Sequence, residues 1–347
     1  MTRTGPKPPS ARTHRRQSPR LLALRGVSSS SSAAGDDDNK VKPEKRKRAP
    51  SKAKAKTEKS VNKKRGSSNS KKTDKKKGTA ATETADCLPR ARELELLQDD
   101  SSSIQYVFGV DEAGRGPLAG PVVAAAAYIP ESNVAGIVDS KKITSEQDRE
   151  DLYETLVKLP DIQWAVAIMD AQCIDEINIL QATLKGMTWA AEAIVNPPPL
   201  SNGRAKVASI DETQGSYVVV SDSVLKRVKS KKIDNNMSLE NTYALIDGNR
   251  LPKNLKIPAE TMVKGDSREY GIAAASILAK VTRDRLMHAY DKLYPEYNLK
   301  QHKGYPTAAH MAAVTKYGAS PIHRRTFAPL KHMEFDENGK IIGSKTA

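Results

Sequence analysis

Ile-Gln-Tyr-Val-Phe-Gly-Val-Asp-Glu-Ala-Gly-Arg-Gly-Pro-Leu-Ala-Gly-Pro-Val-Val-Ala-Ala-Ala-Ala-Tyr-Ile, residues 104–129, reads as two strands joined by a turn rich in glycine and proline. Residues 104–111 combine β-branched and aromatic types and stop at Gly114, which predicts a strand with Asp111 and Glu112 at its end. Residues 121–129 resume an apolar run after so short a connection that an antiparallel neighbour is expected.

Moving toward the C-terminus, Thr144 with Gln147 forms a capping-box pattern ahead of a helix carrying Leu152, Leu156 and Leu159. Residues 162–169 predict a third strand. Ile177, Leu180, Leu184, Met187 and Ala191 then recur at helical spacing until Pro197-Pro198-Pro199 stops the helix. Residues 243–247 and 258–263 predict two short strands, the first ending in Asp247 and the second leading to Asp266. From Ala273 small residues alternate with Ile277, Leu278 and Val281 along a helix to Tyr290, with a face suited to close packing. Strands followed by interleaved helices predict an α/β layer fold, a mixed central sheet flanked by helices, with a C-terminal helical region. Residues 196–240 read as an irregular insertion carrying a basic cluster at Lys226, Arg227, Lys229, Lys231 and Lys232.

Charge divides the chain sharply. Residues 1–86 hold 25 Lys or Arg against 8 Asp or Glu, so a net +17 sits there, while the whole 347-residue chain carries +16. Few large apolar residues occur in that stretch, so it is expected to be a disordered basic tail for targeting, for nucleic-acid binding or for neither. Arginines without an acid before Asp36, ending in Ser28 to Ser32, suit a mitochondrial or plastid transit peptide. The lysine-rich block after them suits a nucleus, so the expected location is one of these. Residues 87–103 are expected to be a linker, 104–335 the folded domain and 336–347 a C-terminal tail. No apolar run approaches the roughly 18 residues of a spanning helix, which argues against a membrane protein. Two cysteines, Cys87 and Cys173, argue against a disulfide framework or a cysteine-based zinc site.

Carboxylates at buried strand ends are costly unless paired, hydrogen-bonded or bound to a cation. If the ends bearing Asp111, Glu112, Asp247 and Asp266 converge, they offer only hard oxygen ligands, which suit Mg²⁺ or Mn²⁺ over zinc. Two such cations about 3.5–4 Å apart support phosphodiester hydrolysis. Each of these acids, taken singly, fits a turn or a helix cap equally well. Gly114-Arg115-Gly116 lacks dinucleotide-fingerprint spacing and leads into a strand. It suits either a phosphate-gripping loop or a plain hairpin turn. Asp139 reads as a turn-closing residue, Asp284 as an i,i+3 or i,i+4 partner on its helix, and His302 and His323 as isolated residues facing either solvent or substrate.

The stretch 109–123 resembles the opening motif of ribonuclease HII, the type 2 ribonuclease H family. The likeness continues in order through Asp139-Ser140-Lys141-Lys142, Ile246-Asp247-Gly248-Asn249-Arg250, Lys264-Gly265-Asp266-Ser267, Ala274 to Asp284, His302-Lys303-Gly304-Tyr305-Pro306-Thr307 and His323 to Pro329. It spans roughly 104–330 and is closer to the bacterial single-subunit branch than to the eukaryotic catalytic subunit.

That resemblance implies a ribonuclease H-like fold and an endonuclease for the RNA strand of RNA–DNA hybrids, including duplex DNA with embedded ribonucleotides. It implies roles in primer removal and ribonucleotide excision, a monomeric catalytic domain and no membrane partner. It also implies that Asp111, Glu112, Asp247 and Asp266 hold two divalent cations, Mg²⁺ or Mn²⁺. Gly114, Arg115 and Gly116 would read a ribose 2′-hydroxyl, Tyr305 would stack on the adjoining deoxyribose, and Lys141, Lys142 and Lys303 would meet phosphates. An integrase-like DNA nuclease shares the acids but leaves Gly114-Arg115-Gly116 and Tyr305 unexplained. A non-catalytic binder acting through the tail leaves the acids unexplained.

Overall fold

The stretch read first becomes the centre of a single mixed sheet. In a computed structural model describing residues 87–130, 134–198, 215–230 and 237–345, β1 (Tyr106–Ala113) pairs antiparallel with β2 (Val122–Tyr128), Asp111 opposite Ala125. Its other edge pairs parallel with β5 (Thr242–Asp247), Val110 opposite Ile246. Next to β2 lie β3 (Gln163–Met169) and then β4 (Tyr217–Val220), both antiparallel to their neighbours, and β6 (Ala259–Met262) runs parallel to β5. The order is β4-β3-β2-β1-β5-β6. The tail 1–86, Pro199 and the pair Lys231-Lys232 lie outside the described residues.

Why β2 can be four successive alanines follows from what covers it. Val123, Ala125 and Ala127 enter one core with α2 (Glu146–Lys158) and α5 (Tyr270–Leu293). Ala124 and Ala126 enter another with α3 (Ala171–Val195) and α4 (Asp222–Ser230). A strand buried on both faces needs no polar alternation. α5 crosses β1 at close range, where a Cβ on Gly109 would lie 2.1 Å from the carbonyl carbon of Gly271. Only glycine permits this approach. Side chains alternate along a strand, so Asp111 shares a face with Gly109 and lies beside the start of α5. The 3₁₀ turn Gly265–Ser267, carrying Asp266, immediately precedes that helix.

Several boundaries differ from expectation. Ser145, not Thr144, caps α2, accepting the Asp148 N–H at 3.2 Å. Asp170 caps α3, whose first residue Ala171 comes ahead of Ile177, the first of the periodic apolar residues, and Asn178 interrupts that helix with φ 65°. The stretch expected as an irregular insertion holds β4 and α4 among its described residues. There Arg227 turns inward, donating to the Gln163 side chain at 2.8 Å and to the Ile194 carbonyl.

The expected linker contains α1 (Ala91–Leu97), whose buried Glu93 accepts the Gly271 N–H at 2.8 Å and donates its own N–H to Glu269 at 3.1 Å. The expected C-terminal tail is half of a hairpin, β7 (Met333–Phe335) with β8 (Ile341–Ser344). Between them and α5, α6 (Leu299–His302) and α7 (Ala308–Tyr317) form the expected C-terminal helical region. Leu299 and Val314 pack there with Leu118, Ala119, Met287 and Tyr297. Among the described residues no helix is long and apolar enough to cross a membrane.

Candidate active site

Parallel pairing of β1 with β5 brings the two strand-end acids together. Carboxylate oxygens of Asp111, Glu112 and Asp247 lie within 4.8 Å of one another. Asp111 is 3% exposed, and its Oδ1 accepts the Glu112 N–H at 2.7 Å. Asp247 accepts the Gly265 N–H at 2.7 Å, which ties β5 to the turn carrying Asp266. Asp266 is also buried but stands at the margin of the group, its carboxylate ion-paired with Lys141. Asp139 closes the turn before Lys141, accepting that residue's N–H at 2.9 Å.

The three clustered acids repel one another in a poorly solvated place. Burial, then the charges of Glu112 and Asp247, push the Asp111 carboxyl well above the usual carboxylate range. Burial likewise raises Glu112, helped by Asp247 and opposed by Arg115 3.3 Å away, and raises Asp247, helped by Asp266. Lys141 loses ground to burial but ends raised through its bond to Asp266 and the charges of Asp266, Asp111 and Asp139. An all-oxygen donor set whose negative charge Arg115 and Lys141 offset only in part fits a hard divalent cation.

The Gly114-Arg115-Gly116 loop is shaped by two buried arginines, Arg283 and Arg324, whose roles spacing and periodicity do not mark. Gly114 sits at φ +94°, and a Cβ there would lie 2.1 Å from Arg283 Nε. Arg283 donates to the carbonyls of Pro121 at 3.1 Å, Ala119 at 3.2 Å and Lys303 at 3.0 Å. Burial lowers its guanidinium to about 10. Arg324, fully buried, donates to the carbonyls of Gly114 at 2.6 Å, Arg115 at 2.9 Å and Gly120 at 2.9 Å. Bulky side chains buried among main-chain acceptors leave no period in the sequence, so only their place in the family-like stretches Ala274 to Asp284 and His323 to Pro329 marks them.

Tyr305 is 48% exposed and faces this loop, since a Cβ on Gly116 would lie 3.5 Å from its ring. The loop, the acids and the tyrosine therefore form one continuous surface through Glu112–Arg115 and Gly116–Tyr305. Lys142 is exposed on the Asp139 turn. Lys303 departs from the expected phosphate role: its ammonium is held by Glu146 at 3.2 Å and by His288. Asp284 pairs with Lys280 at 2.8 Å, as expected. His302 and His323 are not isolated. His302 stacks on His310 at 4.4 Å between ring centres, and buried His310 bonds buried His323 at 3.0 Å.

Residues 108–330 match the family model for ribonuclease HII. A ribonuclease HII of Xanthomonas oryzae pv. oryzae is 43% identical over 234 residues, covering 67% of this chain and 75% of that protein. One of Chromobacterium violaceum is 41% identical over 237 residues, covering 68% and 97%. Among solved structures, ribonuclease H2 from Pyrococcus horikoshii OT3 has a TM-score of 0.44 at 23% identity, covering 65% of this chain and 96% of that one. The expected nuclear, mitochondrial or plastid location is corrected by these relatives, which are bacterial and give such a location no support. The match over 108–330 and the identity to these bacterial enzymes together show that the chain belongs to the ribonuclease HII family and is a ribonuclease H for RNA–DNA hybrids.

Proposed function

We propose that this ribonuclease H cuts on the 5′ side of a ribonucleotide, including a single one embedded in duplex DNA, and leaves 5′-phosphate and 3′-hydroxyl ends. Asp111, Glu112, Asp247 and Asp266 hold two divalent cations, Mg²⁺ or Mn²⁺. The observation that carries this reading is the convergence of Asp111, Glu112 and Asp247 beside a surface formed by Gly114-Arg115-Gly116 and Tyr305. When bound, the cations supply water activation and neutralisation of charge on the leaving oxygen.

The remaining work falls to the chain. Arg324 occupies the carbonyls of Gly114 and Arg115. Peptides are planar and trans, so the N–H groups of Arg115 and Gly116 point away from Arg324, the direction a ribose 2′-hydroxyl would meet. The exposed Arg115 guanidinium grips a phosphate oxygen. Tyr305 offers a half-exposed ring to the neighbouring deoxyribose, and Lys141 and Lys142 meet flanking phosphates. Such an enzyme serves RNA primer removal and ribonucleotide excision.

The test is strand cleavage of a DNA duplex carrying one ribonucleotide, beside a long hybrid and an all-DNA duplex, with Mg²⁺ and Mn²⁺ compared. Cleavage 5′ of the single ribonucleotide is expected, with the all-DNA duplex left whole. Equal cutting of all-DNA duplex would overturn the reading in favour of a DNA nuclease.

A further inference from the structure

The β1–β2 loop and the turn bearing Tyr305 come from distant stretches of chain, yet one dipeptide grips both. Arg324 holds the carbonyls of Gly114, Arg115 and Gly120. A buried guanidinium satisfied by carbonyls and no carboxylate is an expensive way to stabilise a loop, and such local exceptions concentrate at functional sites. Burial, with Arg283 nearby, lowers its pKa well below the ordinary value.

His323 reaches the other side. Its Nδ1 accepts the Ser320 backbone N–H at 3.1 Å, so that nitrogen carries no proton. The ring proton is then on Nε2, 3.0 Å from His310 Nε2, which must accept. His310 therefore carries its proton on Nδ1 and donates it to the Tyr305 carbonyl at 2.9 Å. Burial keeps both rings neutral, lowering His310 and taking His323 from 6.5 to about 3. With one proton each, the relay has a single direction and ends on the peptide that carries Tyr305.

We propose that His323-Arg324 is a positioning unit that fixes the gap between Gly114-Arg115-Gly116 and Tyr305, with His310 as its link, and so sets selectivity for a ribose beside a deoxyribose. It rests on the reading of those two elements as the sugar-reading surface. His323 and Arg324 are both buried, so they act through the loop and the turn that they hold.

The experiment uses the full chain as wild type, Tyr305→Ala, His310→Phe, His310→Asn, Arg324→Met and the double variant Tyr305→Ala/His310→Phe. It reads kcat and KM on a single-ribonucleotide duplex and on a long hybrid, amide exchange across residues 303–307 without substrate, and the Mn²⁺-induced melting shift as a check that each variant is folded. His310→Phe is expected to speed exchange at the Tyr305 turn and to lower single-ribonucleotide kcat about tenfold or more, since small misplacements of positioning groups cost that much. The long hybrid should suffer less. Asn, whose side-chain N–H can stand where Nδ1–H stood, should restore most of the loss. The double variant should be no worse than Tyr305→Ala, because both changes act on one element.

Losses that add in the double variant, or a fall equal on both substrates with unaltered exchange, would show a merely structural role and overturn the proposal. Arg324→Met that folds and keeps wild-type selectivity would overturn it too. If Tyr305→Ala loses selectivity while His310→Phe keeps it, the proposal alone falls. If Tyr305→Ala itself changes nothing, the sugar-reading assignment falls and takes the proposal with it.

Discussion

Buried charge is handled in opposite ways on the two sides of the Gly114-Arg115-Gly116 loop. At the ends of β1 and β5 it is negative, crowded within 4.8 Å and pushed toward protonation. Behind the loop it is positive, with Arg283 and Arg324 each distributed over three main-chain carbonyls. The first region carries repulsion that a bound cation would offset; the second has each guanidinium hydrogen-bonded as folded. Removing a group should therefore relieve the first and injure the second, whatever each does to turnover.

The largest expected effect breaks the acidic side. Asp111→Asn or Asp247→Asn should reduce cleavage on the order of a thousandfold, because lost cation-borne charge stabilisation amounts to several kcal/mol. The same variants should melt higher than wild type without metal, since one of three repelling carboxylates is neutralised. Wild-type turnover by the Asp111 variant would remove these acids from the reaction.

Next comes Arg324→Met, which strands three buried carbonyls at roughly 1 kcal/mol or more each. Urea unfolding should show a loss of about 3 kcal/mol or more. A midpoint equal to wild type would mean that the carbonyls find other donors.

A pH series sharpens the contrast at smaller amplitude. Asp111, Glu112 and Asp247 have raised folded values, so their contribution is full at acid pH and lost as pH rises through those values. His310 and His323 are lowered, so theirs is present above 6.5 and lost as pH falls below it. Metal-free protein should thus lose melting temperature in both directions, and added Mg²⁺ or Mn²⁺ should restore the alkaline side alone. A metal-insensitive melting curve would count against a preformed site. Smallest in stability is Arg115→Ala, which removes an exposed ion pair worth about 0.5 kcal/mol. Its effect should appear as poorer discrimination between ribonucleotide and all-DNA duplexes.

The acidic side was legible in the sequence because periodicity marks strand ends. Tyr106 to Val110 and Tyr243 to Ile246 are apolar runs that stop at acids, and parallel pairing made those stops coincide. The small-residue run from Ala273 marked α5 as a helix suited to close packing, but its close approach to β1, Gly109 against Gly271 and Ile272, lies just ahead of that run. The basic side was not legible. Arg283, Arg324, His310 and His323 gain their roles from tertiary contacts with main-chain atoms, which sequence spacing does not encode. Short elements escaped for a different reason. Tyr217 to Val220 makes only a four-residue edge strand between segments of mixed composition, and α1 has just seven residues.

That short helix has a consequence for where this enzyme can be cut free. The family match begins at residue 108, but Glu93 supplies the acceptor for the Gly271 N–H, and Pro89 accepts the Tyr270 N–H at 3.0 Å. Trimming to residue 108 would unplug the first turn of α5 at the point where it rides over Gly109, and with it the floor beneath Asp111. A portable unit therefore has to keep Pro89 and Glu93, which lie 19 and 15 residues before the family match begins.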